Sequence, residues 1–249
     1  MADYDYKQGK KRIKDILDNQ LTVVEQDKLP AIDKLTFDNA YKSWVSAIFV
    51  DIRDSTSLFT EEDKEKVSKI IRSFTSEIIE ILRKDDNLRE IGIRGDCVYA
   101  IYTTPFQSDI YECVDKAIYV NTYLKMLNKL LANKKYPTIT AGIGIGTAKE
   151  LIVKAGRKDV GINNPVWIGD AVTGASNLSS IANKDGHDPI AFSNLTYLNS
   201  IEQLKKNNSK KDVDSWFTEY HDADLGTFYC ANIIKVEFDN WIDDGMKDE

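Results

Sequence analysis

The order in which apolar patterns follow one another is the feature that most restricts how this chain can fold. Trp44–Ile52, WVSAIFVDI, is a short run of apolar and β-branched residues, the pattern of a buried strand. A polar turn, RDSTSLFT, leads into a helix with Val67, Ile70, Ile71, Phe74, Ile78, Ile81 and Leu82 on one face. REIGIRGDCVYAIY reads as two strands around a Gly95-Asp96 turn. A second helix is predicted from Gln107 to Asn133, with Ile110, Val114, Ala117, Ile118, Leu124, Leu127 and Leu131 inward. TITAGIGIG is the next strand, and ELIVKA follows a brief turn and pairs with it. The order is β-α-β-β-α-β, an α+β fold of ferredoxin-like arrangement.

Further elements flank this unit. A helix is predicted from Asp170 to Ala182, and PIAFS and GTFYCANII read as later strands. KKNNSKKDVDS reads as a solvated loop, and DNWIDDGMKDE as an acidic tail without order. Within residues 8–27, Ile13, Ile16, Leu17, Leu21 and Val24 recur at helical spacing with Lys and Arg opposite. That helix is expected to dock on the core; the rival is a helix for a partner or a membrane surface. The chain thus divides into an N-terminal helical extension over 1–43, a domain over 44–236 and an acidic tail over 237–249.

Composition narrows the function. A net charge of −7 over 249 residues argues against non-specific nucleic-acid binding, which needs a basic footprint. Cys97, Cys113 and Cys230 stand alone with no CxxC pair, which disfavours a structural zinc site and suits a reducing compartment. The opening MADYDYKQGKKRIKDIL has no apolar signal region, and no run approaches the roughly 20 apolar residues of a membrane span. A cytoplasmic protein with neither a membrane nor a nucleic-acid partner is expected.

Two acids stand out. Asp51 closes a buried strand and Asp96 sits in the hairpin turn that follows the first helix. In a β-α-β-β order the first and third strands are neighbours, so the two carboxylates can approach each other. Such a pair caps turns, or it holds a hard, oxygen-preferring cation such as Mg²⁺ or Mn²⁺. Arg53, Ser55 and Thr56 follow at the entry to a helix, where backbone N–H groups and small hydroxyls cap the helix or cradle phosphate. The glycines of GIGIG lack phosphate-loop spacing and are read as sites of close backbone approach.

These residues resemble a family. FVDIRDSTSLFT and RGDCVYAIY resemble the two metal-binding segments of class III adenylate and guanylate cyclases. VWIGDAVTGASNL resembles the segment that carries their transition-state residues, and ADLGTFYCANI resembles their terminal strand. The resemblance spans roughly residues 44–235 and implies a nucleotidyl cyclase domain. It implies two Mg²⁺ or Mn²⁺ ions on Asp51, Asp96 and the Ile52 carbonyl, and a homodimer with shared sites. It also implies in-line attack of a ribose 3′-oxygen on the α-phosphorus.

The chain departs from that pattern at several positions. The transition-state Asn and Arg fall on Thr173 and Asn177, and a phosphate-binding Lys falls on Tyr220. Arg53, Lys149, Lys154, Arg157 and Lys158 are the candidate replacements for phosphate, with Ser55 and Thr56 beside them. The purine-reading positions hold Gly92 and Val166, neither of which reads a base edge with its side chain. Arg94, with donors only, suits the two carbonyls of uracil. This combination resembles the pyrimidine cyclases of Pycsar antiphage systems. The implied reaction is UTP to cyclic UMP, the product acting on an effector with a cyclic-nucleotide-binding domain. Cyclic CMP synthesis and a degenerate nucleotide-binding domain are the alternatives. A ferredoxin-like RNA-binding module is disfavoured, since the central strands carry acids.

Overall fold

The computed structural model describes residues 3–158 and 160–247. Helix α1, Tyr6–Asp18, is followed by β1, Thr22–Glu25, and β2, Asn39–Ile52. Helices α2, Ser55–Glu61, and α3, Lys64–Arg83, lead to the hairpin of β3, Leu88–Arg94, and β4, Cys97–Thr103. Helix α4, Gln107–Asn133, precedes β5, Ala141–Gly156, and β6, Asn163–Ile168. Then come α5, Asp170–Ile181, β7, Ile190–Ser193, α6, Asn194–Asn207, β8, Phe217–Asp222, β9, Gly226–Ala231, and α7, Val236–Asp243.

The strands form one sheet in the order β3-β4-β2-β5-β7-β9-β8, with β1 beside β2 and β6 beside β5. Its first four strands have the ferredoxin-like order that the sequence predicts. Because side chains alternate along a strand, β2 feeds two cores. Ile48, Val50 and Ile52 point to the face covered by α3 and α4. Val45, Ala47 and Phe49 point to the other face, where they meet Ala171 and Ala175 of α5. Helix α3 begins where Asp63 accepts the amides of Glu65 and Lys66, and it buries Val67, Ile70, Phe74, Ile78 and Leu82 at helical spacing.

Three glycines decide how α5 sits. A Cβ on Gly142 would lie 2.3 Å from the Ser179 carbonyl, on Gly144 2.1 Å from the Ala175 carbonyl, and on Gly146 2.3 Å from the Ala171 carbonyl. The helix therefore rests backbone to backbone on β5, as expected of GIGIG. Ala171, Ala175, Leu178 and Ser179 form its buried face, and all but Leu178 are small.

Several expectations are corrected. ELIVKA is not a separate strand, because β5 runs unbroken for 16 residues and pairs with β2 as far as Val153. The predicted 8–27 helix ends at Asp18, and β1 pairs parallel with Asn39–Lys42, so the sheet reaches back across the expected boundary at residue 44. Helix α1 does not dock on the core: Ile13, Ile16 and Leu17 are 58%, 71% and 77% exposed. Part of the acidic tail is the helix α7, tied down where Lys125 pairs with Asp239 and Asp243; Asp248 and Glu249 lie outside the described residues. The predicted polar loop begins inside α6, which, like β8, lacks a clear apolar period.

The glycine contact yields a measurable cost. Gly144→Ala should lower stability by about 1–3 kcal/mol through overpacking against helix backbone. Urea denaturation followed by circular dichroism measures this, and an unchanged midpoint would mean that α5 does not lie directly on β5.

Candidate active site

The side-chain alternation that splits the cores also places Asp51. It is the last odd-numbered residue of β2 and so projects to the α5 face, where it is 28% exposed. Its Cα partner on β4 is Cys97, the residue after Asp96, and on β5 it is Gly142. The turn at Gly95, in the left-handed region at φ 66°, sets Asp96 beside this strand end. The two acids come together in space as the sequence predicts. Burial raises the Asp51 carboxyl above its ordinary value, the Asp96 charge adds to this, and Arg53 partly offsets both. Burial likewise pushes the Cys97 thiol up to about 12, with Asp51 the next cause, which disfavours its thiolate form.

Arg53 does not point outward as a phosphate ligand would. Its Nη2 donates to Oδ2 of Asp51 at 3.2 Å, and its Nη1 to the Ser180 carbonyl at 2.8 Å. Ser55 and Thr56 open α2, but the N-cap is Asp54, at φ 52° and without a side-chain cap bond; the capping alternative for Ser55 and Thr56 falls away. Lys149 lies seven positions along β5 from Gly142, about 23 Å at ~3.3 Å per residue. It pairs there with Glu25 of β1. Within one chain, Lys149 does not join Asp51.

Arg94 ends β3 and is exposed on the same edge as Asp96. Behind it, Gly92 is the Cα partner of Tyr99, and a Cβ on Gly92 would meet the Tyr99 hydroxyl at 2.7 Å. The Tyr99 ring lies over this glycine, stacked on Phe49 at 5.3 Å between centroids. Its hydroxyl donates to Oε1 of Glu90 at 2.7 Å, and Trp167 Nε1 donates to Oε2 at 2.8 Å. Tyr99, Phe49 and Glu90 were not singled out from the sequence. A two-residue turn at Gly95-Asp96 fixes the register Arg94 to Cys97 and Gly92 to Tyr99, which was the available signal. Val166 is exposed on β6, pointing away from the Trp167 side.

Thr173 and Asn177 lie on the outer face of α5. With Asp170, Gly174, Thr147 and residues of the β8–β9 hairpin they line a cleft of about 410 Å³. This cleft opens toward β7 and β9, whereas Asp51 lies on the β2 side of α5. Thr173 donates its hydroxyl to the Gly169 carbonyl at 2.9 Å. Tyr220, in place of the expected Lys, stacks on Phe228 at 5.3 Å. The N-terminus of α5 is held by Glu150, whose Oε1 accepts the Ala171 amide at 2.6 Å. Glu150 is fully buried, and burial is the main cause that raises its carboxyl above the ordinary value.

A family model for the adenylate and guanylate cyclase catalytic domain matches residues 38–213. The chain belongs to this family. It is a nucleotidyl cyclase. The cyclase is 56% identical to a uridylate cyclase of Treponema porcinum over 98% of this chain and 83% of that protein. It is 29% identical to a uridylate cyclase of Gulbenkiania mobilis over 97% of this chain and 96% of that protein. Its fold is similar to that of the adenylyl cyclase CyaB from P. aeruginosa, with a TM-score of 0.60 and 19% identity over 77% of this chain and 95% of that one. No helix of the described residues is long and apolar enough to cross a membrane.

The cyclase's two acids fit a divalent cation. Asp51 is partly buried beside a second carboxylate, and its visible counter-charge is a guanidinium shared with α5. No cluster of three or more His, Cys, Asp or Glu occurs among the described residues, so such a cation would take further oxygens from the chain's carbonyls or from phosphate.

Glu150 gives the fold a pH signature. A carboxyl raised by folding stabilises most when protonated, below its unfolded value, and loses that stability as pH rises through its folded value. The melting temperature of Glu150→Gln should therefore gain on wild type as pH rises from about 4 to about 8. Parallel melting curves would mean that the buried carboxylate is fully compensated.

Proposed function

We propose that this cyclase converts UTP to 3′,5′-cyclic UMP and pyrophosphate. The observation that carries the reading is the Tyr99 ring over Gly92. Phe49 stacks on it, and Glu90 fixes its hydroxyl. A ring held there shortens the space beside Arg94 and Asp96, which favours a single-ring base over a purine. Arg94 offers donors alone, which match the two carbonyls of uracil and oppose the amino group of cytosine. The two relatives named uridylate cyclases support the same substrate.

In this reading Asp51, Asp96 and the Ile52 carbonyl would hold two Mg²⁺ or Mn²⁺ ions, and such ions would supply acidification of the ribose 3′-hydroxyl and charge neutralisation for the triphosphate. The 3′-oxygen forms a bond to the α-phosphorus, and the bond to pyrophosphate breaks in line. Ser55 and Thr56 are the chain's own donors toward phosphate beside Asp51. Thr173 and Asn177 face away from Asp51 within one chain, so a second copy related by a two-fold axis supplies them. The exposed Ile162, Val166 and Ile168 of the β5–β6 hairpin suit such an interface. Lys149 then serves the fold through Glu25 unless the partner brings it to phosphate. The antiphage role extends the reading: cyclic UMP leaves the enzyme and acts on an effector with a cyclic-nucleotide-binding domain. Three unpaired cysteines suit a cytoplasmic setting.

The test incubates purified protein with UTP, CTP, ATP or GTP and Mn²⁺, with products identified by mass. Cyclic UMP is expected, absent in Asp51→Ala and Asp96→Ala. Tyr99→Ala should lose discrimination against purine triphosphates by about tenfold or more. Cyclic CMP as the main product would sink the Arg94 argument, and a cyclic purine nucleotide would sink the pyrimidine assignment. Triphosphate binding without turnover would favour a degenerate domain.

A further inference from the structure

One guanidinium bridges Asp51 and the last turn of α5. The Arg53 side chain is 12% exposed. Its Nη2 donates to Oδ2 of Asp51 at 3.2 Å, to the Asp51 carbonyl at 3.3 Å, and to the Ser179 carbonyl. Its Nη1 donates to the Ser180 carbonyl at 2.8 Å. Its Nε is buried and has no partner among the described residues. Gly142 makes the room, since a Cβ there would lie 2.7 Å from Nη2.

Ser179 and Ser180 belong to the last turn of α5, where unpaired carbonyls form the negative end of the helix. That turn carries no basic residue of its own. Arg53 supplies the missing cation from the end of β2, as Glu150 supplies an acid at the other end of the helix. The same guanidinium is the counter-charge of Asp51.

We propose that Arg53 is a positioning residue that links cation binding at Asp51 to the seating of α5, rather than a ligand for phosphate. A divalent cation on Asp51 competes with the guanidinium for the carboxylate. Arg53 then bonds more fully to the Ser179 and Ser180 carbonyls, and the helix that bears Thr173 and Asn177 is held more firmly. This rests on Asp51 acting as a cation ligand, as in the proposed function.

The two roles for Arg53 differ in sign. A phosphate ligand, once removed, weakens nucleotide binding. A positioning residue that competes with the cation, once removed, leaves Mn²⁺ binding as tight or tighter and slows turnover. Full-length wild type, Arg53→Lys and Arg53→Met are compared by Mn²⁺ titration calorimetry, by steady-state kinetics with UTP, and by hydrogen exchange over residues 176–182. Arg53→Met should bind Mn²⁺ at least as tightly as wild type, with kcat lower by about ten- to a hundredfold and KM for UTP changed less than about threefold. Exchange over 176–182 should speed up severalfold. Arg53→Lys, which keeps the charge but cannot span both carbonyls, should fall between.

A KM for UTP raised more than about tenfold, with exchange in α5 unchanged, would overturn the proposal in favour of a phosphate ligand. Unchanged kcat in Arg53→Met would overturn it as well. Should Arg53→Met fail to fold, wild type alone decides: saturating Mn²⁺ must slow exchange over 176–182, and no change there overturns the link. Absence of cyclic UMP from the wild type would defeat the proposed substrate, whereas the Mn²⁺ and exchange measurements would still judge Arg53.

Discussion

Helix α5 lies directly on the backbone of β5 because Gly142, Gly144 and Gly146 remove the side chains that would hold it off. Small residues on the helix, Ala171 and Ala175, complete the approach. This contact sets the distance between everything on the helix and everything at the end of β2. It brings Ser179 and Ser180 to Arg53, and so to Asp51. It also turns Thr173 and Asn177 outward, toward β7 and β9. A bulkier strand would lift the helix and separate its last turn from Arg53.

The electrostatics around that contact favour function over stability. Asp51 gives up solvent next to another carboxylate, and the raised carboxyl records the cost. Glu150 is buried against the amide end of α5 for a similar reason, leaving Oε2 without a partner among the described residues. Apolar cores on both faces of the sheet absorb such costs. Ile70, Phe74, Ile78 and Leu82 are each fully buried, at roughly 1.5–3 kcal/mol apiece. What remains is an acidic strand end whose counter-charge within the chain is the Arg53 guanidinium.

The strand order, the two long helices and the meeting of Asp51 with Asp96 were legible because each rests on local periodicity and on a topological rule. The glycine alternation was legible too, although its consequence for α5 was not. The inward direction of Arg53 was not legible, because a cation beside a predicted helix entry looks available and nothing local says that distant carbonyls will take it. Glu90 and Tyr99 were missed because their meaning lies in a cross-strand register rather than in either residue. Helix α1 was expected on the core because its apolar spacing says that a face exists and not what covers it.

The sequence by itself determined the α+β order, the neighbouring of the two acidic strand ends, and the departure from the Asn, Arg and Lys expected at Thr173, Asn177 and Tyr220. These depend on residue type and short-range period, which a chain carries before it folds. The tertiary structure alone decided that Arg53 faces inward, that Lys149 sits far from Asp51, and that Tyr99 covers Gly92. Each of those depends on which groups compete for one side chain once strands and helices have packed, and that competition has no trace in local sequence.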